Sequence, residues 1–453
     1  MKFHLLLLSF LLGAGILTAT ERPNIVFVLF DDIGYGEPGC YNPDSLFNTP
    51  NLDKLATQGM RFTDAHAPAS CCTPSRYGFL TGRYPSRIGK YDVLNTFSPP
   101  IIPTSRLTIA SFLKEQGYDT ACIGKWHLGL NWIGREKGGK DGDLKMGEKM
   151  IDGPVDLGFN TYYGFTHARN IGTIIDQDTV VAQVTEVENQ PIMIEKAVSY
   201  IHEQADSTEP FFLYFPMCPP HKPHVPAPKY IGKGGMKGKG GNYADWIYQG
   251  DDMLGQIMTA LEESGQAGNT LLITSGDNGA SGKEYEPLRE HKGSIYEGGT
   301  REPFIARWPG KIKAGAVNDT TVGIIDVFAT CADIIDANIP DNAAEDSVSI
   351  LDTLLGNEFT PPASITQAPH GELAIHDAPW KLIFHDGERR ELYHLQVDLS
   401  ETTDVLAQNP EVVGQLTAQM QTLIDNGRRS EGAPQENEVV IDLSIARKKK
   451  KSE

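Results

Sequence analysis

Cysteine is scarce in this chain: Cys40, Cys71, Cys72, Cys122, Cys218 and Cys331 are the only six among 453 residues. That is too few for a scaffold built on disulfides, and no Cys-x-x-Cys or Cys/His spacing marks a zinc site. Beyond the first twenty residues there is no apolar run long enough to cross a bilayer. Positive charge is in deficit, with 40 Lys and Arg against 59 Asp and Glu and a formal net charge of −19. A field of that sign argues against a nucleic-acid partner. An anionic substrate would need cations gathered locally against the global field. Internal repeats are absent too.

What is present begins with a leader. Met1-Lys2-Phe3-His4 is weakly basic, Leu5 to Leu17 are apolar or small, and Thr18-Ala19-Thr20 are small enough for cleavage. Residues 1–19 read as a secretory signal peptide, so the mature protein is expected to be secreted or periplasmic, with no stable membrane insertion. Left uncleaved, the same segment would be an anchor.

Continuous apolar runs follow at Asn24–Phe30, Tyr118–Ile123, Pro210–Phe215 and Thr270–Thr274. Such runs fit strands buried on both faces of a mostly parallel sheet. Helical patterns lie between them at Thr108–Gln116, Pro191–Gln204 and Tyr243–Glu263. The alternation predicts an α/β fold with a large sheet sandwiched by helices, over residues 20–340. Ligands in such sheets collect beyond the carboxyl ends of the strands. Glycine- and lysine-rich stretches at Gly129–Lys149 and Lys229–Gly241 read as mobile surface loops. Residues 341–430 read as a small α+β subdomain, with strands in Glu372–Phe384 and Arg390–Leu395 and a closing helix at Pro410–Asn426. Residues 431–453, polar and without apolar period, are expected to be a disordered tail.

The chemistry starts at Cys72-Thr-Pro-Ser-Arg76, followed by Leu80-Thr-Gly-Arg83. This twelve-residue pattern resembles the signature of the formylglycine-dependent sulfatases, in the alkaline phosphatase superfamily. The resemblance implies that a separate formylglycine-generating enzyme oxidises the cysteine two places before the proline, which is Cys72 and not Cys71. Pro74 suits the first turn of a helix and sets Cys72 at its amino end, where free N–H groups and the dipole favour an anion. Cys71 reads as buried structure.

Asp31-Asp32 closes the first strand, and Asp277-Asn278-Gly279 follows the Thr270–Thr274 strand. An Asp-Asp pair alone is usually a turn or cap. Paired with a second acidic segment, it offers oxygen ligands for one hard divalent cation, Ca²⁺ or Mg²⁺. The resemblance implies calcium, with Cys72 as a further ligand. It also implicates Lys125 and His127 in Gly124-Lys-Trp-His-Leu-Gly129, His221 in Pro220-His-Lys-Pro223, and Lys292 in His291-Lys-Gly-Ser-Ile-Tyr-Glu-Gly-Gly299. In the implied roles, Arg76 and Lys125 hold the hydrated aldehyde and Asp277 helps deprotonate it. His221 or Lys292 protonates the leaving alcohol, and His127 assists release of sulfate. His224 and Arg169 are candidates for the substrate pocket. Two departures from the family pattern, Glu37 where Asp is common and Cys218-Pro-Pro ahead of His221, touch none of these positions.

The resemblance runs from Pro23 to about Ala407 and implies a sulfatase acting on a sulfated carbohydrate. The rivals are a phosphodiester or phosphonate hydrolase with the same nucleophile and metal, and a glycan-binding relative without catalysis. When the chain is expressed with a formylglycine-generating enzyme, the peptide spanning Cys72 should carry an aldehyde reactive to hydrazide while Cys71 remains a thiol. Mass spectrometry finding the aldehyde on Cys71, or on neither residue, would refute the assignment.

Overall fold

The structure, a computed structural model, describes residues 22–135, 144–281 and 287–443. The expected signal peptide lies outside these residues, as do parts of the Gly129–Lys149 stretch and the last ten residues of the tail. No helix among the described residues is long and apolar enough to cross a membrane.

A ten-stranded sheet forms the centre, with Asn24–Asp31 paired in parallel to Phe211–Pro220 on one side and Thr270–Gly276 on the other. Asp119–Lys125 and then Thr161–Phe165 extend the parallel block beyond Phe211–Pro220. Antiparallel strands close both flanks, among them Phe304–Arg307 beside Thr270–Gly276. The sheet is therefore large, mixed and mostly parallel, as the apolar runs predict.

Alternation along the first strand divides the core in two. Ile25, Phe27 and Leu29 face one layer with Tyr77, Phe79 and Leu80 of helix Cys72–Thr81. Val26, Val28 and Phe30 face the other, against helices Glu186–Glu203 and Gly241–Glu263. Side chains with period two thus bury both faces of one strand, which is why it reads as uninterrupted apolar sequence.

A four-stranded antiparallel sheet, Ser364–Gln367, Leu373–Asp377, Trp380–Phe384 and Arg390–His394, forms the C-terminal unit. Helix Pro410–Asp425 covers it through Leu416, Met420 and Ile424. Its edge strand reaches the main body directly, since Ser70 N donates to Gln367 O at 2.9 Å and Gln367 N to Pro68 O at 3.1 Å. A buried network adds to this junction: Lys381 Nζ lies 2.8 Å from both Glu297 Oε1 and Glu401 Oε1, and His66 Nε2 lies 3.0 Å from Glu297 Oε2.

Three expectations change. The helix expected to start at Pro191 begins at Glu186 and keeps Pro191 inside it. Thr185 and Glu188 form a capping box there, and that end signal outweighs the proline as a boundary. The Glu372–Phe384 stretch is a hairpin of two strands, and Ser364–Gln367 is an additional edge. Most plainly, the disorder expected from Glu431 does not hold through residue 443. Arg83 binds Glu438 Oε1 at 2.7 Å, Arg87 binds Asn437 Oδ1 at 2.9 Å, Glu438 N donates to Arg87 O at 2.8 Å, and Ile441 is buried. Arginine pairing holds a segment whose composition has no apolar period.

A chain ending at Ser430 should lose that burial and those pairs, lowering Tm by roughly 5 °C in a thermal melt. An unchanged Tm would show that the segment contributes nothing to the fold.

Candidate active site

Helix Cys72–Thr81 is buried along its whole length. Cys71 precedes it in extended conformation and Gly82 ends it at φ 62°, returning its N–H to Gly78 O. Pro74, with no N–H to satisfy, falls in the first turn where that donor would have no helical partner. Phe79 stacks on Phe27 of the central strand at 4.3 Å between ring centroids, which locks the helix onto the sheet. Cys72 is thereby held at the helix amino end, 1 % exposed, with Lys292 Nζ 3.6 Å from its Sγ. Burial pushes the Cys72 thiol up, against the pull of Lys125 and Lys292.

The acidic residues meet because their strands are neighbours in register, Phe30 opposite Gly276. Asp31 ends one strand, Asp32 turns away at φ 73°, and Asp277 and Asn278 follow the other. Asp32 N donates to Asp277 Oδ1 at 3.1 Å, and Asn278 Nδ2 to Asp32 Oδ1 at 2.8 Å. A left-handed backbone at a non-glycine residue is uncommon, and here those two hydrogen bonds hold it.

Cations surround the acids. Arg76 gives Nε and Nη2 to Asp277 Oδ2 at 2.9 and 2.7 Å and Nη1 to Lys125 O at 3.1 Å. Lys125 Nζ donates to Asp31 Oδ2 at 2.6 Å and Lys292 Nζ to Asp32 Oδ1 at 2.5 Å. His221 Nε2 stands 3.8 Å from Asp32 Oδ2. Burial alone would raise the Asp31 carboxyl, yet Lys125, His221, Arg76 and Lys292 hold it well below the usual carboxylate range. Burial opposes charge on Lys292 as well, but Asp32 and its neighbours keep the ammonium protonated. Burial lowers His221, while Asp32 and Asp31 pull it back up. Gly124 admits this packing: at φ 133°, a Cβ there would sit 2.2 Å from Pro216 O, just ahead of Lys125.

Asp31 Oδ1, Asp32 Oδ2 and Asn278 Oδ1 are buried without a hydrogen-bond partner. Asp31, Asp32, Cys72 and His221 each offer a ligand atom, all within 4.8 Å of one another. Buried oxygens without a hydrogen bond are costly unless something positive binds them. Asp31 Oδ1 has only Arg76 Nη2, at 3.4 Å, so this donor set fits a hard divalent cation.

The structure thus gathers Asp31, Asp32, Cys72, Arg76, Lys125, His221, Asp277, Asn278 and Lys292 into one cluster. His127 lies behind it in a left-handed conformation, φ 61°, with its N–H on Thr166 O at 2.7 Å and its carbonyl accepting Thr73 Oγ1 at 2.9 Å. Its Nε2 faces Leu94 O at 2.9 Å, and burial with nearby Lys125 keeps the imidazole neutral. His224 packs on the Tyr243 ring at 4.9 Å, and Arg169 is exposed on the turn Ala168–Asn170.

Two residues escaped the sequence reading. Thr73 links the helix of Cys72 to His127 and also accepts Leu94 N at 3.2 Å. Glu302 is fully buried with both carboxylate oxygens unpartnered, and burial together with Asp277 and Asp32 pushes it well above the carboxylate range. The one signal for Glu302 is a charged residue just ahead of the apolar run Phe304–Arg307.

Cys72 at a helix amino end, a nest of acidic oxygens, and ammonium and imidazole groups paired with them make an electrostatic setting suited to an anionic ester. The comparisons agree. The Sulfatase family profile matches residues 23–337. An N-acetylgalactosamine-6-O-sulfatase of Bacteroides thetaiotaomicron is 32 % identical over 489 aligned residues, spanning 89 % of this chain and 93 % of that one. Human arylsulfatase A is 32 % identical over 412, spanning 82 % of this chain and 76 % of its own. A solved structure from a glycosaminoglycan-metabolising locus of B. thetaiotaomicron superposes with a TM-score of 0.82 at 30 % identity, covering 89 % of this chain and 99 % of that chain. The chain belongs to the sulfatase family and is a sulfuric ester hydrolase.

Lys125→Met would leave Asp31 buried without its nearest cation. Removing one partner of such a pair should cost about 3–5 kcal/mol in denaturant unfolding. A loss below about 1 kcal/mol, the range of a surface pair, would mean that Lys125 does not hold the acid.

Proposed function

We propose that this sulfatase removes sulfate from a carbohydrate, with the 6-O-sulfate of N-acetylgalactosamine as the first candidate. The relative that spans nearly the whole chain bears that activity in its name, and this supports the choice. Export through residues 1–19 would bring the enzyme to such glycans. Cys72 is the residue we assign to formylglycine, whose hydrated aldehyde would supply the attacking hydroxyl. Asp31, Asp32, Asp277 and Asn278, with position 72, would hold calcium, which lowers the pKa of the nucleophile and draws charge from the sulfate oxygens. Their unpartnered oxygens are what favours an ion there.

The observation that carries the reading is the gradient of exposure across the cations. Arg76 and Lys125 are wholly buried and spent on Asp277 and Asp31, so they hold carboxylates in place. Lys292 and His221 keep 18 % and 24 % of their side chains exposed on the open side of the cluster. Those two groups meet the substrate. The Lys292 ammonium grips a sulfate oxygen, worth more in a partly dry site than in water. His221 gives its proton to the departing sugar oxygen; burial lowers its imidazole, and Asp32 and Asp31 beside it pull it back toward the protonated form that this task needs. His127, neutral and fixed from both sides, assists release of sulfate. His224 and Arg169 lie on adjoining segments as further candidates for sugar contact.

Matured protein in calcium should release sulfate from N-acetylgalactosamine 6-sulfate, lose that activity to a chelator, and turn over a matched phosphate diester far more slowly. Proton donation matters most for a poor leaving group such as a sugar alkoxide. His221→Ala should therefore lose far more kcat/KM on the sulfated sugar than on nitrophenyl sulfate, whereas Lys292→Ala should impair both about equally. Equal losses for His221→Ala with a sugar-selective loss for Lys292→Ala would reverse the two roles. Faster turnover of the diester would sink the sulfatase preference itself.

A further inference from the structure

The chain carries 59 acidic residues, yet none falls between Glu209 and Asp245, the longest interval free of Asp and Glu. That interval holds Lys222, Lys229, Lys233, Lys237 and Lys239, together with His221 and His224. All five lysines are exposed. In a protein of net charge −19, positive charge is concentrated here against the global field.

The Lys229–Gly241 part, which composition suggests is a mobile loop, is fastened through its backbone. Gly232 N and Gly234 N donate to the two carboxylate oxygens of Asp245, each at 2.8 Å. Asn48 N donates to Gly234 O at 3.0 Å and Asn48 Nδ2 to Lys233 O at 2.6 Å. Met236 packs against Phe47, Tyr243, Ala244 and Ile247. Amides and one methionine thus do the anchoring, and the ammonium groups take no part in it. Lys229 has an acid in range, Asp252 at 4.0 Å, whose same oxygen accepts the Tyr230 hydroxyl at 2.7 Å. Among the described residues, no carboxylate pairs with Lys222, Lys233, Lys237 or Lys239. Helix Gly241–Glu263 starts directly after the loop with no acid in its first turn, so its dipole adds to the same sign.

Both ends of the stretch join segments that build the acidic cluster. His221, 3.8 Å from Asp32 Oδ2, is followed at once by Lys222. At the other end the Tyr243 hydroxyl donates to Glu37, five residues past Asp32. A single surface lysine contributes little. Several held at short intervals act together on a ligand whose charges also repeat, because each contact displaces counterions from it. A sulfated glycan chain is such a ligand. A lipid surface fits less well, since the exposed apolar side chains at hand, Leu46 and Ile231, offer little to bury among acyl chains.

We propose that Lys222, Lys233, Lys237 and Lys239 form a docking surface for a sulfated glycan chain, holding the polymer beside the site while one sulfate is removed. The proposal rests on the carbohydrate reading above and makes the substrate a charged chain in place of a free sugar. The surface lies wholly in the unit of the ten-stranded sheet, and the chemical step does not use its lysines.

The test measures binding of unmatured protein, with Cys72 still a thiol, to immobilised chondroitin 6-sulfate, so that no turnover is needed. Wild type is compared with a triple variant, Lys233→Gln with Lys237→Gln and Lys239→Gln, and with arginine at the same three positions. Lys222 is left in place because it adjoins His221. In about 0.1 M salt the glutamine variant should bind about tenfold more weakly. The arginine variant keeps the charge and should stay within about twofold of wild type. At about 1 M salt, with a screening length of about 3 Å, all three proteins should converge on weak binding. In matured enzyme, the glutamine variant should raise KM for the chain about tenfold with kcat kept. On N-acetylgalactosamine 6-sulfate, which has no chain to reach the lysines, it should stay within about twofold of wild type. Unchanged affinity in the glutamine variant, an equal loss in the arginine variant, or tighter binding to phosphatidylserine vesicles than to the glycan would overturn the surface. A wild type that binds the chain through these lysines yet releases sulfate from neither substrate refutes the carbohydrate reading, and the delivery role with it. That result is distinct from failure of the surface, in which wild type and glutamine variant bind alike.

Discussion

The site is organised around one buried ion pair. Arg76 points from helix Cys72–Thr81 to the carboxylate of Asp277 at the end of the neighbouring strand, and its third N–H holds the carbonyl of Lys125. One guanidinium thus fixes three separate segments: the helix, the Thr270–Gly276 strand and the Asp119–Lys125 strand. Its rigid fork does this with little loss of freedom, which a lysine could not match. Desolvating such charge is expensive, and the return here is geometric. Each carboxylate is paired through one oxygen with a cation, which fixes the direction of the other.

The fold was legible because buried parallel strands announce themselves as unbroken apolar runs, and four of those runs are the four central strands. The acids were legible for the same reason, since Asp31 and Asp277 stand where such runs stop. Cys72, Lys125, His221 and Lys292 could be picked out only through resemblance to a family, because nothing local distinguishes them from surface lysines and capping histidines. Their convergence depends on strand register, which periodicity does not report. Glu302 stayed hidden for a related reason. Its significance is entirely its enclosure, and enclosure is a property of the neighbours.

The terminal segment failed in the opposite direction. Residues 431–443 look like solvated tail by composition, yet Arg83 and Arg87, just past the far end of helix Cys72–Thr81, hold them. Hydrophobic patterning detects segments that bury carbon. It is blind to one held by guanidinium groups on the partner. The hairpin in the C-terminal sheet was read as one strand for a simpler cause: Leu373–Asp377 and Trp380–Phe384 share one apolar character and are separated by only two residues.

The junction at Ser70 and Gln367 also sets a schedule. The segment leading into Cys72 is finished only when the edge strand of the C-terminal sheet arrives to take Ser70's N–H, and that strand is made long after the helix it helps to seat. During synthesis, then, the Cys72 position passes through a period in which it is already made but not yet enclosed. Once the last strands pair, the same thiol is almost completely shut away. Any protein that has to reach Cys72 before the fold is complete has that interval in which to do so, and its length is set by the distance along the chain between the helix and the strand that takes Ser70's N–H.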